Sequence, residues 1–295
     1  MSSSCENCAK KATCTSKDAK PGETPEQYQE RLLIEQRLCG IKNKVLVMSG
    51  KGGVGKSSTA VNLALALAEE GKMVGLLDVD IHGPSIPTML GAENMRPMGT
   101  DNSMLPIVHH GIKVMSIGFL LPKQTDPVIW RGPMKSRMIL QFIRDVEWGE
   151  LDYLVVDCPP GTGDEPLVLL QLLGDNTRAV IVTTPQEVAL SDVRKSVMFC
   201  RQMKLPILGV IENMSGFVCP HCGTTVDIFS SGGGERMASE MEVHFLGKIP
   251  IDPEIVASGD AGLPYVVSHK DSPTTEAVRK VARELIGQAD KMTAN

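Results

Sequence analysis

Short, nearly continuous apolar runs recur along the chain from residue 44 onward, and most are separated by longer stretches with apolar positions three and four apart. The runs predict strands over 44–49, 73–79, 112–117, 153–158, 179–184, 207–213 and 245–249. Several lack the alternation of a half-exposed strand, as expected where helices cover both faces of a sheet. The stretches between them predict helices over 57–70, 135–146, 165–173, 188–203 and 234–241, and an amphipathic helix over 274–292 closes the chain. Strands alternating with helices of this length predict an α/β fold, a doubly wound and mostly parallel sheet flanked by helices. Ligands of such sheets bind at the carboxyl ends of the strands.

Ahead of this pattern, residues 1–20 are rich in Ser, Lys and Cys and have no apolar periodicity, so without metal they read as a tail. The stretch PEQYQERLLIEQRL over 25–38 reads as a charged helix that Gly40 ends. The expected organisation is an N-terminal Cys-containing extension over 1–40, a candidate for metal binding, and one NTPase-sized α/β domain over 41–295. Residues 217–228 read as a small Cys-bearing hairpin inserted before a helix. A length of 295 residues suits that plan, and 42% hydrophobic with 22% charged residues excludes global disorder and a fibrous fold. No run of about 18 apolar residues spans a membrane, and the N-terminus lacks a basic-then-apolar leader, so the expectation is a cytoplasmic protein without a membrane partner. With 35 acidic against 30 basic residues the net charge of −5 argues against a nucleic-acid partner. Aromatics are scarce at 4% and Met plentiful at 16, so the core is aliphatic with thioethers filling gaps.

The sharpest chemical signal is Gly50-Lys51-Gly52-Gly53-Val54-Gly55-Lys56-Ser57-Ser58, placed between a predicted strand and a predicted helix. That context defines a phosphate-binding loop. Its glycines let successive N–H groups turn toward phosphate oxygens, and the helix N-terminus adds partial positive charge. Lys56 supplies a point charge for the β and γ phosphates of ATP, and the Ser57 hydroxyl is placed to ligate Mg²⁺. Two strands downstream end in carboxylates, at Asp78-Val79-Asp80 and at Asp157-Cys158-Pro159-Pro160-Gly161. Asp157 would hold Mg²⁺ through water, and Asp80 would orient or deprotonate the attacking water. Gly161 is expected to sense the γ-phosphate through its N–H.

Lys51 resembles the extra lysine of the deviant Walker A loop of MinD/ParA/NifH-like ATPases. By that resemblance it reaches across a dimer to the partner's nucleotide and counts, with Lys56 and Asp80, among the catalytic residues. Further stretches resemble the Mrp/ApbC family of ATP-dependent iron–sulfur cluster carriers: Asp80-Ile81-His82-Gly83-Pro84-Ser85, Trp130-Arg131-Gly132-Pro133, residues 157–165, Thr184-Pro185-Gln186-Glu187 and Glu212-Asn213-Met214-Ser215-Gly216-Phe217. The family includes the eukaryotic cytosolic cluster-scaffold NTPases, and the likeness covers about residues 40–290. It implies that Asn213 binds adenine, that Ile249-Pro250-Ile251-Asp252 packs near the base, and that ATP turnover serves delivery of a labile [4Fe–4S] cluster to apo iron–sulfur proteins. A partner from the assembly machinery is a further implication.

The eight cysteines do not read as a disulfide framework in a reducing compartment. Cys219-Pro220-His221-Cys222 places two thiolates on a turn, half of a tetrahedral metal site, with His221 a spectator. Two copies at a two-fold axis would supply four thiolates. That agrees with the family, whose members bridge a [4Fe–4S] cluster between the protomers of a homodimer. A bridging Zn²⁺ and a metal-free thiol pair are the alternatives. Cys5, Cys8 and Cys14 have metal-like spacing and resemble part of the N-terminal cluster site of the cytosolic scaffold branch, but the fourth cysteine of that pattern is missing. Cys39, a partner chain or an exogenous ligand would have to complete it. Cys158 and Cys200 read as small buried residues, and His109-His110 as a solvated turn.

Two other classes compete. A ParA/MinD-like partitioning ATPase leaves five clustered cysteines without a purpose, and the mixed charges of the last helix do not resemble a basic membrane anchor. A nitrogenase-reductase-like electron carrier takes its cysteines from two separated loops.

Overall fold

Every predicted apolar run becomes a strand of one sheet. The computed structural model describes residues 20–81, 83–100, 103–121, 132–219 and 221–294. In chain order the strands are β1 (Ile41–Ser49), β2 (Val74–Asp78), β3 (Met98–Thr100), β4 (Ser103–Leu105), β5 (Ile107–His109) and β6 (Ile112–Ser116). They continue with β7 (Leu151–Asp157), β8 (Thr177–Thr183), β9 (Ile207–Glu212), β10 (Phe217–Val218), β11 (Thr225–Val226) and β12 (Phe245–Lys248). The helices are α1 (Pro25–Leu38), α2 (Lys56–Glu69), α3 (Ile86–Met89), α4 (Gly132–Asp145) and α5 (Asp164–Leu173). After them come α6 (Glu187–Gln202), α7 (Gly233–Glu240), α8 (Pro253–Asp260), α9 (Tyr265–Ser268) and α10 (Pro273–Ala294).

The sheet has the order β12-β9-β8-β1-β7-β2-β6-β5. All its pairings are parallel except β5 with β6 at one edge. β1 lies between β7 and β8, and its residues 44–49 are buried on both faces. This explains its lack of alternation. Parallel neighbours require crossovers, and α2 makes the first one with residues 59–67 almost wholly buried. It packs with α9 and α10, while α4 packs with α5 and α6 with α7.

α1 begins with a reciprocal cap. Thr24 Oγ1 accepts from the Gln27 N–H, and Gln27 Oε1 accepts from the Thr24 N–H. The helix packs on α4 and sends Ile34 and Leu38 into the core.

The edge strand β5 departs from the expectation for His109-His110. His109 ends β5 with Nε2 2.9 Å from the Leu90 carbonyl oxygen, so only His110-Gly111 form the turn. Both have positive φ, +47° and +79°, the backbone that a two-residue hairpin needs. β5 is three residues long, too short to register as a run.

Candidate functional site

The phosphate-binding loop leaves the carboxyl end of β1 at the centre of the sheet and enters α2 at Lys56. Gly50 must lack a side chain, since a Cβ there would lie 2.5 Å from the Asp192 backbone of α6. Gly53 and Gly55 adopt φ of +79° and +78°, and Gly55 is the left-handed cap of α2. A Cβ at Gly55 would also lie 2.2 Å from Asn213 Nδ2, whereas Gly52 and Gly53 border open space. The loop is fixed from beneath by Ser49 Oγ, which donates to the Lys51 carbonyl at 2.9 Å. Val54 is buried, while Lys51, Ser57 and Ser58 are half-buried.

Lys56 and Asp157 form the heart of the site. Lys56 Nζ lies 2.5 Å from Asp157 Oδ1 and 3.3 Å from Ser57 Oγ, and both charged side chains are almost fully buried. Asp157 Oδ2 is buried without a hydrogen-bond partner. A carboxylate oxygen in that state is costly and is a ready ligand for a hydrated cation. Burial raises the Asp157 carboxyl above its ordinary range despite the opposing Lys56 charge.

The register of β2 against β7 sets Asp78 directly beside Asp157. Asp78 is fully buried, accepts from Ser116 Oγ at 2.8 Å and from the Asp80 N–H at 3.1 Å, and is pushed up to about 8 by burial and the neighbouring Asp157 charge. Two buried carboxylates side by side cannot both ionise cheaply. The sequence signal for Asp78 was its place at a strand end; its burial against Asp157 depends on the strand order. Asp80, half-buried two residues on, is held to this pair through its backbone.

The Gly161 N–H donates to the Ser49 carbonyl at 2.9 Å. In this structure it is therefore engaged with β1, contrary to the expectation that it points at a phosphate. Cys158, the residue after Asp157, is buried and its thiol is raised by that burial; Cys200 is buried too and is pushed up to about 12. Both are core residues, as expected.

Beside Gly55 and Ser58 opens a cavity of about 280 Å³, walled by Asn213, Met214, Phe229 and the 249–252 segment. The Asn213 side chain donates from Nδ2 to the Val54 carbonyl at 2.9 Å, tying the end of β9 to the loop. Asp252 lines the cavity, but its oxygens are occupied. Oδ1 accepts from the Glu254 N–H as the cap of α8, and Oδ2 accepts from Thr274 Oγ1 and the Tyr265 hydroxyl.

Cys219 and Cys222 lie on the turn between β10 and β11, the hairpin expected over 217–228. The Cys219 N–H donates to the Thr224 carbonyl and the Gly223 N–H to the Cys219 carbonyl, closing a tight loop around the thiols. Cys222 is exposed, with Sγ 3.3 Å from Thr224 Oγ1. Its thiol is held below the ordinary range first by the Thr224 hydroxyl, then by the Thr224 backbone and Cys219. Around the pair the hairpin exposes Val218, Val226, Ile228 and Phe229. His221 is exposed as well. Among the described residues no group of three or more His, Cys, Asp or Glu side chains is placed to hold a metal. Cys5, Cys8 and Cys14, with His82, Pro220, Trp130 and Arg131, lie outside the described residues. No described helix is long and apolar enough to cross a membrane.

Comparison with known proteins agrees with this arrangement. The chain is 50% identical over 279 residues to an iron–sulfur cluster carrier protein of Methanocaldococcus jannaschii, covering 94% of this chain and 96% of that one. It is 45% identical over 291 residues to a protein of the same name from Methanococcus maripaludis, covering 98% of each. A solved nucleotide-binding protein of Archaeoglobus fulgidus in complex with ADP, with cobalt, superposes with a TM-score of 0.72 at 40% identity over 83% of this chain and 96% of that one. The family model for the NUBPL iron-transfer P-loop NTPase, of the ParA group, matches residues 40–286. The chain belongs to this family of iron-transfer P-loop NTPases.

Proposed function

We propose that this protein is an ATP-dependent iron–sulfur cluster carrier that holds a labile [4Fe–4S] cluster between two protomers and delivers it to apo iron–sulfur proteins. The reading is carried by one observation: the exposed Cys219/Cys222 hairpin grows out of the wall of the cavity beside the phosphate-binding loop.

On this reading ATP lies along the loop with its base in the cavity, where Asn213 offers an amide. Lys56 leaves Asp157 for the β and γ phosphates, because an ammonium near several phosphate oxygens gains more than from one carboxylate. Ser57 and the orphaned Asp157 oxygen hold Mg²⁺, which would supply charge neutralisation at the phosphates. Asp80 orients the attacking water and takes its proton, while Asp78, carrying a proton near neutral pH, spares the site a second buried negative charge. Lys51 reaches the nucleotide of the partner protomer. The cluster is cargo, and each chain contributes two thiolates of the four required. Apolar residues around the thiols suit contact with a second copy.

Anaerobic purification with iron, sulfide and zinc analysis, beside an optical spectrum near 400 nm and an ATPase assay, tests the proposal. Stoichiometric iron and sulfide with ATP turnover supports it. Zinc without sulfide, or no turnover, removes the carrier reading.

A further inference from the structure

Glu212 ends β9 with its side chain fully buried. An aliphatic residue would serve the core there, yet this carboxylate collects donors from two distant points of the chain. Oε1 accepts from Ser215 Oγ at 2.5 Å and from the Gly232 N–H at 2.8 Å, and Oε2 accepts from the Gly234 N–H at 2.5 Å. Ser215 Oγ also lies 3.2 Å from the Ser231 hydroxyl. Ser215 is on the outgoing root of the cysteine hairpin, and Ser231 and Gly232 are on its returning root. The backbone is shaped for this contact. Met214 and Gly216 turn out of β9 with φ of +56° and +74°, and Ser230 and Gly232 turn back with φ of +71° and +79°. A Cβ on Gly234 would crowd Glu212 Oε2 at 3.0 Å, so glycine leaves the close approach unstrained.

A buried carboxylate is unfavourable unless charge-assisted hydrogen bonds replace its water, and here they do so by clamping both hairpin roots to β9. The next residue, Asn213, is bonded to the phosphate-binding loop through Val54. Met214 and Phe229, one from each root, line the same cavity as Gly55 and Ser58. On the far side the Ile251 N–H donates to the Gly216 carbonyl, joining the outgoing root to the 249–252 wall.

We infer that Glu212 is a positioning residue that makes the setting of Cys219 and Cys222 depend on what fills the cavity. The inference rests on the proposed reading of that cavity as a nucleotide site. A ligand that moves Met214 or Phe229 moves a root, and the Glu212 clamp makes both roots move together, so the thiol pair responds as a unit. Without the clamp the roots keep the Ser215–Ser231 hydroxyl contact and the two residue pairs of β10 with β11, a weaker link that transmits less of a displacement of one root to the turn.

The test uses the full chain, reduced and metal-free under anaerobic conditions, with Mg·ADP as probe. Alkylation rates of Cys219 and Cys222 are followed by peptide mass spectrometry, with exposed Cys39 as internal reference and ADP affinity measured in parallel. In the wild type, saturating Mg·ADP changes the rates at Cys219 and Cys222 by about threefold or more, while Cys39 stays constant. Glu212→Gln puts an NH₂ group against backbone donors; it should keep ADP affinity within about threefold yet lose the response at the cysteines. Phe229→Ala, at a half-exposed wall position, should weaken the response without disturbing the buried clamp, and it serves if Glu212→Gln does not fold. Bound ADP with no response in the wild type, or a full response in Glu212→Gln or in Phe229→Ala, overturns the coupling and leaves the nucleotide reading intact. Failure of the wild type to bind ADP overturns both.

Discussion

Lys56 Nζ sits 2.5 Å from Asp157 Oδ1 in a part of the molecule from which water is almost excluded. The lysine reaches across from the loop after β1 to the end of the adjacent strand β7, and the partner oxygen Oδ2 is left without a donor. Lys56→Ala should therefore do two things. Nucleotide binding or turnover should be lost, because the phosphates lose the loop's one invaginated point charge. The free protein should also lose about 3 kcal/mol near pH 8 and less at pH 5, since burial raises the Asp157 carboxyl and acid shifts it toward the neutral form, which leaves no unpaired charge. Denaturant titrations at both pH values, with a fluorescent ATP analogue, measure both effects. Normal hydrolysis by the variant would remove the phosphate-binding assignment.

Asp80, half-buried beside the Asp78–Asp157 pair, is proposed as the group that acts on water. Asp80→Ala should bind ATP normally and hydrolyse it about 10²–10⁴-fold more slowly. Single-turnover kinetics beside equilibrium binding separate the two. Weakened binding with normal turnover would assign Asp80 to holding the nucleotide instead.

Asp78 gives a pH signature to the free protein. Its folded-state value is raised to about 8 from an ordinary carboxyl value of 3.8, so the native state holds a proton that the unfolded chain releases. Stability from this group is then full below about pH 4 and is lost as pH rises through 8, with a slope of at most about 1.4 kcal/mol per pH unit. Asp78→Asn, which keeps an acceptor for Ser116, should be more stable than the wild type at pH 9, with the difference shrinking toward pH 5. Equal pH dependence of the two proteins in denaturant titrations would mean that Asp78 is ionised at neutral pH.

On the proposed reading the late cysteines tie cargo to oligomeric state. If each chain supplies Cys219 and Cys222 to a shared cluster, Cys222→Ser should lose the 400 nm absorbance and the cluster-linked dimer while still binding ATP. Iron remaining in that variant should belong to Cys5, Cys8 and Cys14, and deletion of residues 1–20 should remove it. Iron per protomer and anaerobic size exclusion decide the matter. Full iron in Cys222→Ser, with loss on the deletion alone, would make the late pair structural or zinc-binding.

Much of this was legible in the sequence because its signals are local. The glycine spacing of the loop, the strand-end aspartates and the apolar runs each depend on neighbours within about a dozen residues. What was not legible depends on strand order. Asp78 becomes a partner of Asp157 only because β7 inserts between β1 and β2, a placement that sequence adjacency hides. Glu212 looked like part of a motif, and its three donors come from residues 215, 232 and 234 after the chain has gone out and returned. The Gly161 N–H reads as phosphate-facing from its motif position, but the structure engages it with the Ser49 carbonyl on β1. β5 is not legible in the sequence because three residues cannot establish a period.

The hairpin that carries Cys219 and Cys222 consists of two residue pairs, and residues 221–230 are all exposed. A ribbon of that size has almost no cohesion of its own, so its opening free energy lies at the bottom of the range for the molecule, far below that of the eight-stranded sheet. Thiol chemistry at its tip can thus be made and unmade by fraying a dozen residues, with the sheet never melting. Native-state amide exchange should divide accordingly, fast over 217–230 and globally protected over β1, β7 and β8.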